Sequence, residues 1–220
     1  MNRKLILLII LVGALFFLFP AAAHQPRLVY KEVLSQETPA LIVKPDVSQA
    51  FYGQLKQTSD YYRFDLDQPL KFYFGLLSPA DKEERQDFSA ELLEINSGRL
   101  IQALESQDLL WPSYFEKFAG DKYFKGPEAT LDLPAGSYLI KVSNPSNEGK
   151  YVLVVGQKEV FTGKSLVETL KELPTLKKEF FGLSPLAAFF NLIGLFALLA
   201  LAGILTLLFW IKGLFWRRGK

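Results

Sequence analysis

Through the middle of the chain, hydrophobic residues recur at every second position, in short bursts separated by turn-forming residues. Tyr62, Phe64 and Leu66 alternate with Arg63 and Asp65, the period of a half-buried strand. Leu70, Phe72, Phe74 and Leu76 form a second stripe. Tyr73 and Leu77 face the other way, so this strand is expected to be covered on both sides. Tyr151, Leu153 and Val155 alternate with Val152 and Val154, again apolar on both faces. Shorter runs predict strands at 27–34, 50–55, 129–133 and 137–142, and a hairpin of 88–95 with 99–104 about Asn96, Ser97 and Gly98. Residues 24–48, punctuated by Pro26, Pro39 and Pro45, read as an extended leading segment, and the charged stretch 78–87 reads as a surface loop. Roughly seven or eight short strands at such spacing predict a mainly β domain over 49–160, an antiparallel sandwich of jelly-roll or Ig-like type.

The two ends follow a different pattern. Arg3 and Lys4 precede an apolar run from Leu5 to Phe19, then Pro20 and three alanines, the layout of a signal peptide cleaved before His24, with an uncleaved signal anchor as the alternative. From Leu186 to Ile211 the chain is apolar except for Asn191 and Thr206, long enough to cross a bilayer core of about 30 Å as one helix. Ser184 and Pro185 suit its N-cap and first turn, and Trp210 and Trp216 suit an interfacial belt. Lys212, Arg217, Arg218 and Lys220 form a basic tail over 212–220, expected on the cytoplasmic side by the positive-inside rule. A single pass over 183–211 therefore places the sandwich outside a plasma membrane. Before it, Ser165 to Glu168 reads as a capping box opening a juxtamembrane helix over 164–182. Leu166, Leu170 and Leu173 lie on one side of this helix, and Pro174 kinks or ends it. Asn191 has two readings, an interhelical hydrogen bond within an oligomer or a polar residue tolerated near the interface.

Two strand sequences carry a resemblance to a known family. Leu133, Ala135, Gly136, Tyr138, Ile140 and Val142, followed after a turn by Gly149, Tyr151, Leu153 and Val155, resemble the last strands of the bacterial pre-peptidase C-terminal domain. Asp60, Tyr62, Phe64 and Leu66 are similar to an earlier strand of that family. The resemblance covers roughly 50–156 and implies a secreted, jelly-roll-like, non-catalytic accessory sandwich. This chain departs from the family pattern at the charged loop 78–87, at an aromatic block over 111–127, and in the anchor that follows.

Charge changes the picture of partners. Residues 1–23 and 183–220 contain no acidic residue, so all 23 Asp and Glu lie in 24–182 with nineteen of the 25 Lys and Arg. The outward part is mildly acidic and has no basic stripe, which argues against nucleic acid. The expected partners are the lipid bilayer and an envelope polysaccharide or a partner membrane protein. The chain has no cysteine, which excludes disulfides and thiolate chemistry.

Candidate chemistry is sparse. His24 is the one histidine and would begin the mature chain, so it is expected in a disordered terminus with at most weak copper affinity. The block 111–127 holds six aromatics in seventeen positions and reads as a structured loop. Its rings either pack on the sandwich end or present Trp111, Tyr114, Phe115 and Tyr123 as a ring-lined carbohydrate platform. Glu116 and Asp121 are candidate calcium ligands, and Glu128 joins them as a candidate for carboxylate hydrolysis. None has the spacing of a known loop motif. The chain is expected not to be an enzyme and to need no cofactor.

Overall fold

The computed structural model describes residues 24–80, 85–106, 110–117, 119–160, 163–191, 194–195, 198–199, 201–206, 209 and 212, with the backbone alone at 163–166. The expected signal peptide, the tail after 212 and nine positions of the expected membrane span lie outside the described residues.

Eleven strands are present among them: β1 (Gln25–Leu28), β2 (Ala40–Leu41), β3 (Gln49–Lys56), β4 (Asp60–Leu66), β5 (Leu70–Pro79), β6 (Ser89–Glu94), β7 (Leu100–Leu104), β8 (Ser113–Glu116), β9 (Asp121–Leu133), β10 (Gly136–Ser143) and β11 (Glu148–Val155). They form a six-stranded sheet in the order β1-β3-β11-β5-β9-β8 and a five-stranded sheet in the order β2-β4-β10-β6-β7. The predicted hairpin is β6 with β7. The chain crosses between sheets at Pro134–Ala135, since β9 pairs with β5 and β10 with β4 and β6. The pairing is antiparallel except at two edges, where β1 runs parallel to β3 and β2 parallel to β4. The leading segment is thus stitched into both sheets. The strand expected over 27–34 is shorter and earlier, because the chain turns after Leu28 and buries Val29, Tyr30 and Leu34 instead.

Period-two alternation sends Phe51, Phe64, Phe72, Phe74, Tyr138, Tyr151 and Leu153 into the core between the sheets. Phe64 stacks on Phe72 at 4.5 Å and on Tyr138 at 5.3 Å, binding β4, β5 and β10 across the two layers. Gly53 exists to admit Tyr151. A Cβ at position 53 would stand 2.4 Å from Tyr151 Cζ, a distance no side chain tolerates.

The larger sheet has a second apolar face, as the two-sided strands predicted. Tyr52, Leu77, Tyr123, Val152 and Val154 lie on its outside, and α1 (Gly163–Thr175) covers them. Ser165 lies inside this helix rather than at its N-cap, because helical backbone already begins at Gly163. Pro174 is also inside it, and the chain continues through a π-helical turn, Leu176–Phe180, in which Phe181 N–H bonds to the Leu176 carbonyl. Leu173, Leu176 and Phe180 are buried on the sheet. Each such side chain contributes about 1.5–3 kcal/mol, enough to fix a helix that alone would be marginal.

Ser184 does cap the next turn, accepting from Leu186 N–H, but that turn is a short 3-10 helix, Pro185–Phe189, followed by a bend at Phe190 and Asn191. Helical backbone resumes at 194–195, 198–199 and 201–206. Among the described residues no helix is long and apolar enough to cross a membrane.

Candidate functional site

The aromatic block is a hairpin rather than a loop. Ser113–Glu116 pairs with the start of β9, Tyr114 opposite Tyr123 and Glu116 opposite Asp121. Burial then divides the four rings proposed as a platform. Trp111 is 4% exposed and lies against Gly126, where a Cβ would meet its ring at 2.4 Å. Tyr123 is 2% exposed and shares a 3.2 Å hydrogen bond with Tyr52 beneath the stem. Tyr114 and Phe115 face outward, 36% and 51% exposed. Two rings are therefore core and two are surface, with Tyr114 lying 6.4 Å from the buried Tyr123 ring across the hairpin.

Asp121 points into the seam between sheet and stem. Its Oδ1 accepts from Lys177 Nζ at 2.5 Å, and the two side chains are 1% and 2% exposed. The π-helical turn aims Lys177 inward, where its ammonium also donates to the Ala119 carbonyl at 2.7 Å and lies over the Phe181 ring. Asn191 donates to the same carbonyl at 2.9 Å while its Oδ1 accepts from Gly194 N–H at 3.0 Å. Asn191 thus bonds within its own chain, capping the following turn and tying it to the β8–β9 hairpin. Burial pushes the Asp121 carboxyl up, against the opposing pull of Lys177. A cavity of about 30 Å³ remains between Tyr52, Tyr123 and the stem residues Leu173 and Leu176.

Glu116 does not converge with Asp121 on a common point. Its Oε2 accepts from Ala119 N–H at 2.6 Å, closing the hairpin turn, whereas Asp121 faces an ammonium. Glu128 accepts from Tyr73 and Lys125 on the sheet surface. Among the described residues no group of three or more His, Asp or Glu is placed to hold a metal ion.

Two further polar clusters leave no mark in the hydrophobic pattern. Tyr62 and Tyr151 hydroxyls meet at 2.6 Å inside the sandwich, and Tyr151 donates to Asp60 Oδ2 at 2.6 Å. Burial pushes the Asp60 carboxyl up to about 6. His24 is packed, not loose: its Nδ1 contacts Ser48 Oγ, and burial lowers its pKa. Ser48 is 3% exposed, so this pair fastens β1 to β3 and does not address solvent.

Beside the hairpin lies an open apolar groove of about 910 Å³, lined by Phe115, Lys117, Phe189, Phe190, Leu195 and Leu198 among others. Eleven of the twenty exposed large apolar residues among those described follow residue 182.

No protein-family model and no curated protein matches the chain. Among solved structures it is similar to the pre-peptidase C-terminal domain of a collagenase from Bacillus anthracis, at 12% identity and TM-score 0.36, over 57% of this chain and 96% of that one. It is also similar to part of the catalytic domain of a GH87 α-1,3-glucanase in complex with nigerose, at 16% identity and TM-score 0.29, over 56% of this chain and 27% of that one. At these scores neither likeness carries an argument, and the sandwich rests on its own strand pairing.

Proposed function

We propose that this chain is a non-catalytic interaction module, a β-sandwich displayed on the outer side of a plasma membrane and held there by one C-terminal span. The observation that carries the reading is the run of exposed apolar side chains that begins at the docked stem, from Leu183, Leu186, Phe189 and Phe190 through Leu198, Leu201, Leu205 and Phe209. Water does not favour so much contiguous apolar surface, and a bilayer does. The acid-free C-terminal segment with its basic tail gives the direction, sandwich outside and Arg217 and Arg218 inside. Hydrogen bonding supports a non-catalytic role. The enclosed acids Asp60 and Asp121 are each tied to a partner on another element. The sandwich would then meet an envelope polysaccharide or a partner membrane protein.

Fractionation tests the anchor. The full chain, expressed in a bacterial host, should stay in the membrane pellet after an alkaline carbonate wash. A chain ending at residue 182 should appear in the soluble fraction. Release of the full chain by carbonate would end the proposal.

A further inference from the structure

Strand register gives the sandwich a near and a far end relative to the proposed membrane. Tyr123 pairs with Pro79 at one end of β9, and Leu133 pairs with Leu70 at the other. β9 is thirteen residues long, so it spans roughly 40 Å at about 3.3 Å per residue. The turn at 67–69 and the crossing at Pro134–Ala135 are both at the far end. The β8–β9 turn is at the near end, and there it is fastened to the start of the apolar C-terminal segment. Asn191 donates to Ala119, and a Cβ on Gly120 would come within 3.2 Å of Asn191 Cβ.

This hairpin end carries its own apolar and cationic groups. Phe115, half exposed, shares one groove with Phe189 and Phe190, which are 50% and 85% exposed. Leu195, Leu198 and Leu201 continue the same groove along the segment read as the span, and exposed Lys117 stands at its rim. A ring beside a span, with a lysine able to extend its ammonium outward, matches the boundary between acyl chains and headgroups.

We infer that the β8–β9 turn dips into the outer leaflet, with Phe115 among the acyl chains and Lys117 at the phosphates. The occupant of the groove is lipid, and the turn at 67–69 faces away from the membrane. This rests on the membrane reading above and adds to it a second, peripheral contact made by the domain itself. The sandwich is then held upright at two points rather than swinging on a tether, which presents its far end to the envelope.

The chain contains no cysteine, so single nitroxide labels can be placed without background. Full-length Phe115→Cys, Leu198→Cys and Gln68→Cys chains would be labelled in vesicles of phosphatidylethanolamine and phosphatidylglycerol. Each would be probed by power saturation with oxygen and with a water-soluble nickel chelate. Oxygen should relax the labels at 115 and 198 more than the chelate does, with the order reversed at 68. A label at 115 favouring the chelate, while 198 favours oxygen, would overturn the inference and leave the anchor standing. A label at 115 shielded from both reagents would also overturn it, in favour of a second copy filling the groove. A label at 198 favouring the chelate would sink the anchor itself.

Discussion

The ammonium of Lys177 lies 2.5 Å from Asp121 Oδ1, and the two side chains are sealed between the outer face of the larger sheet and a π-helical turn. The pair joins the stem to the strand that forms the hairpin end. Its energetic role is asymmetric. Two enclosed charges recover little beyond their desolvation, but removing one strands the other.

Lys177→Met should therefore lower the unfolding free energy by about 3–5 kcal/mol, through an unpaired Asp121 carboxylate. Adding Asp121→Asn to Lys177→Met should recover most of that loss. Urea unfolding of the three chains in micelles reads both numbers. Equal cost in the single and double variants would mean that the pair is not the anchor of the stem.

Asp60 makes stability depend on pH. Folded, it keeps its proton up to about pH 6, whereas in the unfolded chain the proton leaves near pH 4. Between those values the unfolded state binds fewer protons, so stability falls as pH rises and levels off above the upper one. Asp60→Asn retains an acceptor for Tyr151 and removes the charge. It should match the parent chain near pH 4 and exceed it by about 1–3 kcal/mol near pH 7.5. Parallel unfolding curves at the two pH values check this, and a constant difference would contradict it.

Trp111 separates core from platform. Enclosed against Gly126, it should cost about 3–5 kcal/mol as Trp111→Ala, whereas Tyr114→Ala at the surface should stay within about 0.5 kcal/mol. Thermal unfolding gives both values. A stable Trp111→Ala chain that lost glycan binding would restore the platform.

Much of the sandwich was legible in its alternation. The stripes at 62–66 and 70–76 are β4 and β5, and the two-sided strands correctly required a cover, which α1 supplies. The β8–β9 hairpin was hidden by Gly126 and Pro127, residues that ordinarily break strands. Here the register slips between Gly75 and Leu77, so these two residues face one on β5, and β8 pairs β9 no further than Phe124. A proline is accommodated in such a bulge without an amide to donate. The salt bridge was hidden by 56 residues of separation. One signal for it existed: Leu166, Leu170, Leu173 and Lys177 share a helical face, and a lysine in a leucine stripe needs a buried partner.

The most direct test is the side of the membrane on which each end lies. In spheroplasts, a membrane-impermeant maleimide should label Gln68→Cys at once and Gly219→Cys only after lysis. Labelling of Gly219→Cys in intact spheroplasts, with Gln68→Cys protected until lysis, would contradict the arrangement of sandwich outside and basic tail inside.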